Sequence, residues 1–176
     1  MEFSQTCRRK RKGKTSMKVM NIIHDSVVDG EGLRTVIFYA GCPHFCKGCH
    51  NPRSWNINNG TEMSVEEVVE EVVSNSLTDV TLSGGEPFFQ AEEVCKVAKR
   101  LKELGKNIWI YTGYTFEQLL ASRDPYIYEL LGYCDVLVDG PFILAERDLT
   151  LPFRGSRNQR IIDLTKHKVK VPPMRV

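Results

Sequence analysis

No apolar run in this chain approaches the roughly 20 residues that span a bilayer. The longest, residues 35–40 and 108–111, suit short buried strands. The first residues also lack the apolar stretch of a secretory signal, so a cytoplasmic location with no membrane role is expected. Internal repeats and low-complexity tracts are missing, which excludes solenoid and fibrous architectures. With no signal for export, the six cysteines do not read as a disulfide framework. In a reducing compartment they are metal ligands or ordinary buried residues.

What is present is ordinary for a globular domain. The 176 residues are 41% hydrophobic and 26% charged, enough for one hydrophobic core without staples. The net charge of +2 is unevenly placed. Residues 1–16 hold six cations (Arg8, Arg9, Lys10, Arg11, Lys12, Lys14) against Glu2, so the remainder carries −3. An acidic body argues against nucleic-acid binding. The basic stretch 1–16 is expected to be a disordered or non-native tail, with Met17 a candidate start, and residues 17–176 to form one domain.

From Val36 onward, short β-rich runs alternate with helical periods. Residues 35–40 read as a strand. Ser64 with Glu67 forms a capping box, and Val65, Val68, Val69, Val72 and Val73 follow at helical spacing. Residues 79–83 give a strand, 91–104 a helix stopped by Gly105, and 108–112 another strand. Thr115 and Gln118 open a helix through Leu119 and Leu120, and residues 126–131 form a short one. A strand over 135–139 is then closed by Gly140 and Pro141. The predicted fold is α/β, a single-domain partial, open βα barrel with a mainly parallel sheet. There are too few units for a closed eight-fold barrel. Ligands gather at the carboxyl ends of such strands.

Three cysteines follow the first strand as C-x3-C-x2-C: Cys42, Cys46 and Cys49. Cys7, Cys95 and Cys134 stand alone, and Cys95 falls in register with Ala91, Val94 and Ala98 as a core residue. So short a loop can wrap an iron-sulfur cubane. A cluster held by three thiolates keeps one iron open, as a catalytic site requires. The alternative is zinc held with His44, His50 or His24, which makes the chain a zinc-binding interaction module. No second C-x2-C pair supports it.

C-x3-C-x2-C after one strand, with Ser83-Gly84-Gly85-Glu86-Pro87 after the next, resembles the radical S-adenosylmethionine superfamily. The resemblance implies a 4Fe-4S cluster on Cys42, Cys46 and Cys49. It also implies S-adenosyl-L-methionine on the open iron, its amine at Gly84, Gly85 and Glu86, and its adenine near Gly48, Cys49 and His50. Many members carry an aromatic residue where this chain has Gly48, so the adenine contact is expected from backbone; His50 is otherwise a loop histidine satisfied by its neighbours. Because the Gly-Gly-Glu turn and the thiolates lie on different loops, a larger side chain at Gly85 is expected to spare the cluster and block the cofactor.

The finer similarity is to the activating proteins of anaerobic ribonucleoside-triphosphate reductases. It is carried by residues 28–35, 48–55, 108–114, 135–142 and 153–160. It implies an oxidoreductase that cleaves S-adenosylmethionine reductively to a 5′-deoxyadenosyl radical and places a glycyl radical on the reductase's large subunit. The electron would come from a small donor such as flavodoxin, and no side chain need act as acid or base. An activase of another glycyl-radical enzyme is the neighbouring alternative. Trp55 and Trp109 are expected to be packing anchors. Asp139 could reach the cofactor or only make a turn. Arg34 and Arg154 are open between the cofactor carboxylate, the partner and an internal acid.

Overall fold

The computed structural model describes residues 16–167. Its strands are β1 (Ser16–Ser26), β2 (Arg34–Tyr39), β3 (Thr61–Ser64), β4 (Asp79–Gly84), β5 (Ile108–Tyr111), β6 (Val136–Asp139) and β7 (Arg160–Asp163). The helices are α1 (Val65–Val73), α2 (Ala91–Glu103), α3 (Phe116–Ala121) and α4 (Pro125–Tyr133). One sheet runs β3-β1-β2-β4-β5-β6-β7. The four central strands β2, β4, β5 and β6 are parallel, while β1, β3 and β7 pair antiparallel at the edges. The sheet does not close on itself, as an open barrel requires. Among the described residues no helix is long and apolar enough to cross a membrane.

The capping boxes at Ser64/Glu67 and Thr115/Gln118 both form, each satisfying two otherwise orphaned helix-end donors. The antiparallel edges were not legible as strands. β1 alternates weakly and contains register shifts against β2, and β3 and β7 are short and mostly exposed or partly buried. Ser16, assigned above to the tail, is the first residue of β1 and pairs with Ser64. Residues 1–15 lie outside the described residues, so the expectation of a disordered tail does too.

Side chains alternate between the two faces of the sheet. Ile37, Tyr39, Val80, Leu82, Ile108, Ile110 and Leu137 join the core with Val68, Val72, Val94, Val97, Leu101, Leu130 and Leu131 from the helices. Cys95 and Cys134 belong to this core. The other face carries Arg34, Thr81, Trp109 and Tyr111. Its lower end is covered by residues 27–33, where Gly30 (φ +128°) lies against Trp109 so closely that a Cβ would sit 2.9 Å from the indole. The Trp109 ring also meets Phe153 edge-on at 5.4 Å. It is a packing anchor, as expected.

Arg34 is 1% exposed. It donates to Thr81 Oγ1 (2.7 Å), the Glu31 carbonyl (2.7 Å), the Val80 carbonyl (2.6 Å) and Asn107 (3.1 Å). Burial lowers its pKa from the usual guanidinium value, partly offset by Asp79 and neighbouring groups. Its donors are thus spent inside the fold, at the opposite end of β2 from the cysteine loop. Arg34→Met orphans several buried acceptors and is expected to cost roughly 2–4 kcal/mol in a urea melt. The spectrum of a loaded cluster is expected to stay unchanged.

Candidate metal centre

β2 ends at Tyr39, and the chain turns at Gly41 (φ +90°) into the cysteine loop. The loop closes on its own stem: Gly41 N–H donates to the Ser54 carbonyl at 2.7 Å and Cys42 N–H to the Trp55 carbonyl at 3.2 Å. Ser54, fully buried, fastens it further by donating to the Asn51 carbonyl. Within it, Cys49 N–H returns to the Cys46 carbonyl at 3.1 Å. Phe45 (φ +48°) and Gly48 (φ +78°) take left-handed conformations that let so short a segment curl.

Cys42, Cys46 and Cys49 are free and half-buried on this loop. Cys49 Sγ accepts from Asn51 N–H at 3.4 Å, and the backbone at His44 and Phe142 favours the thiolate forms of Cys42 and Cys46. Amides aimed at sulfur stabilise a thiolate and tune a bound cluster. Burial nonetheless pushes the Cys42 thiol up to about 12 and raises Cys46, with neighbouring thiols and Glu86 adding to the effect. Metal loading must therefore displace protons.

Three thiols on one short loop are the donor chemistry that an iron-sulfur cluster takes.

The Gly-Gly-Glu turn lies along the stem of the same loop. Gly85 N–H donates to the Tyr39 carbonyl (2.8 Å) and Glu86 N–H to the Gly41 carbonyl (2.9 Å). A Cβ on Gly84 (φ +106°) would fall 2.2 Å from Tyr39 N, and one on Gly85 would fall 2.5 Å from Gly41 O and 3.0 Å from Ser54 O. A side chain at Gly84 would thus meet the backbone of β2, and one at Gly85 the backbone of the cysteine loop's stem. The Gly-Gly-Glu turn and the cysteine loop, distinct in sequence, meet in space at Gly41 and Ser54, so a side chain at Gly85 would press on the stem of the loop that carries the thiols.

Glu86 is fully buried. Its carboxylate accepts from His44 Nε2 (2.6 Å), Thr112 Oγ1 (2.9 Å), Gly113 N–H (2.9 Å) and Phe88 N–H (3.1 Å).

Gly48 and His50 meet the segment after β6. A Cβ on Gly48 would lie 2.9 Å from Leu144 Cδ1, and the His50 ring sits 5.4 Å from that of Phe142. Phe45 packs edge-on against Trp55 at 5.3 Å. Trp55 is thus a packing anchor. The sequence reading missed Thr112, Phe142 and Leu144, which enter the site through distant loops, and weighed His44 only as a zinc ligand.

Asp139 does not reach the site. It is 1% exposed, accepts from Phe116 N–H at the start of α3 (2.8 Å), and pairs with Arg160. Arg160 also holds the exposed Glu117, pushing its carboxyl down to about 2. Arg154 donates to the Gln159 carbonyl at 2.7 Å.

A family model described as a 4Fe-4S single cluster domain matches residues 28–162, which include all three loop cysteines. Three curated proteins similar to this chain are all named anaerobic ribonucleoside-triphosphate reductase-activating protein. One, from Vibrio cholerae, is 40% identical over 77% of this chain and 90% of its own length. Another, from Haemophilus influenzae, is 36% identical over 82% of this chain and 97% of its own. The third, from Escherichia coli K12, is 33% identical over 76% and 90%. Among solved structures, QueE from Escherichia coli aligns over 57% of this chain and 53% of its own at 18% identity and a TM-score of 0.49, a likeness too slight to bear on function.

Proposed function

This chain belongs to the family of anaerobic ribonucleoside-triphosphate reductase-activating proteins, and from that membership we propose that it generates the glycyl radical of such a reductase from S-adenosylmethionine. It is an iron-sulfur protein. Cys42, Cys46 and Cys49 hold the 4Fe-4S cluster. Gly84, Gly85 and Glu86, with the backbone of Gly48, Cys49 and His50, receive S-adenosylmethionine. The acceptor of the radical is the large subunit of the reductase, and a small protein such as flavodoxin supplies the electron.

The observation that carries this reading is the set of three thiols on one closed loop, with no fourth beside them among the described residues. Cys95 and Cys134 are in the core among the helices. Bound together, cluster and S-adenosylmethionine supply one-electron cleavage of a carbon-sulfur bond, chemistry that belongs to the cofactor. The chain's own contribution is positional. Backbone at His44, Asn51 and Phe142 favours the thiolates. The Gly41-Ser54 hydrogen bond closes the loop, and the Glu86-Gly41 bond ties it to the turn after β4. Phe142 and Leu144, after β6, lie against His50 and Gly48 of the loop.

Anaerobic reconstitution of the full chain, followed by dithionite and S-adenosylmethionine, tests the reading. About four irons with matching sulfide per chain and release of 5′-deoxyadenosine are expected. Stoichiometric zinc without sulfide would overturn it and favour the interaction module.

A further inference from the structure

We infer that His44 is a positioning residue that sets the cysteine loop against the ends of β4 and β5 through Glu86, an inference that rests on the cluster assignment above. His44 stands between Cys42 and Cys46, so whatever fixes its ring fixes the backbone between two thiolates. Its Nε2 meets Glu86 Oε2 at 2.6 Å, with the Glu86 side chain fully buried and that of His44 14% exposed. The carboxylate is itself held by Thr112 Oγ1 and Gly113 N–H from the end of β5 and by Phe88 N–H after β4. One buried group thus joins three loops.

The ring has a seat built for it. A Cβ at Gly113 would lie 2.4 Å from His44 Cδ2 and 2.6 Å from Nε2, so only glycine leaves the ring this place. On another side the Tyr114 ring stands edge-on at 4.4 Å. Backbone hydrogen bonds secure the loop at its stem, around Gly41 and Cys42, and His44 secures the stretch beyond it. A buried hydrogen bond to a charged acceptor is among the stronger local ties a loop can have. Small displacements of a metal-holding loop matter.

The test uses the full chain, reconstituted anaerobically, as wild type, His44→Ala, His44→Leu, His44→Gln and Gly113→Ala. Glutamine extends an N–H donor to about the depth of Nε2; leucine fills the seat without one. Three readouts are compared: iron and sulfide content, the electron paramagnetic resonance spectrum of the reduced cluster, and equilibrium binding of S-adenosylmethionine. His44→Ala and His44→Leu are expected to broaden or split the cluster signal and to weaken cofactor binding about tenfold. His44→Gln restores both. Gly113→Ala, which intrudes on the ring from the segment after β5 and leaves the loop's own residues unchanged, reproduces the defect.

Wild-type spectra and affinity in His44→Ala would overturn the inference. So would equal rescue by leucine and glutamine, which would make the ring simple packing, or loss of iron in all three His44 variants including glutamine. Loss of iron in His44→Ala and His44→Leu with retention in His44→Gln supports it. A wild-type chain that takes up no iron and sulfide defeats the cluster assignment instead, so the two failures are distinguishable.

Discussion

Cys46→Ala is expected to fold and to lose its cluster, falling from about four irons per chain to less than about one. Cys42→Ala and Cys49→Ala are expected to do the same, because each sulfur occupies its own position on a loop closed at its stem. Cys95→Ala and Cys134→Ala provide the contrast. Both thiols are buried among core side chains, where burial raises their pKa values. Their replacement is expected to lower the unfolding midpoint slightly and leave iron and sulfide unchanged. Full iron in Cys46→Ala would refute the ligand assignment.

Gly85→Val is expected to damage cluster and cofactor binding together. Any Cβ at this position points at the Gly41 carbonyl from 2.5 Å and at Ser54 from 3.0 Å, and backbone cannot step aside as a flexible side chain can. Overpacking of this kind costs about 1–3 kcal/mol, a fall of roughly 3–10 °C in the midpoint for a domain of this size. Because the pressure lands on the residue before Cys42, cluster retention against a chelator is expected to weaken about 10–100-fold. Intact cluster with abolished S-adenosylmethionine binding would restore the simpler view, that Gly85 only makes room for the cofactor.

Much of the site's composition was visible in the residues, and little of its connectivity. C-x3-C-x2-C reads locally, because all three cysteines share one short loop, and the strand before it reads from its β-branched and aromatic run. The Gly-Gly-Glu turn also stood out, but its glycines were assigned to the cofactor. Their packing against Tyr39 and Gly41 depends on the parallel register of β2 with β4, which aligns Tyr39 with Gly84. No local pattern encodes that register.

His44, Thr112 and Gly113 show the same limit. Each is unremarkable in its own segment, and they become a unit only where three loops meet at the Glu86 carboxylate. Asp139 shows the converse, since an acid at a strand end suggests a ligand until Arg160 is seen beside it on β7. The edge strands β3 and β7 were missed because their residues are mostly exposed or only partly buried, whereas β5 and β6, equally short, show as buried apolar runs.

The most direct test of the proposed activity is electron paramagnetic resonance of a purified anaerobic ribonucleoside-triphosphate reductase incubated without oxygen with the reconstituted chain, S-adenosylmethionine and a reductant. A glycyl-radical signal on the reductase is expected, dependent on S-adenosylmethionine and lost when Cys46→Ala replaces the wild type. A fully loaded chain that cleaves S-adenosylmethionine yet leaves the reductase without a radical would contradict the assignment of its partner, and a radical formed equally well with Cys46→Ala would contradict the assignment of its cluster.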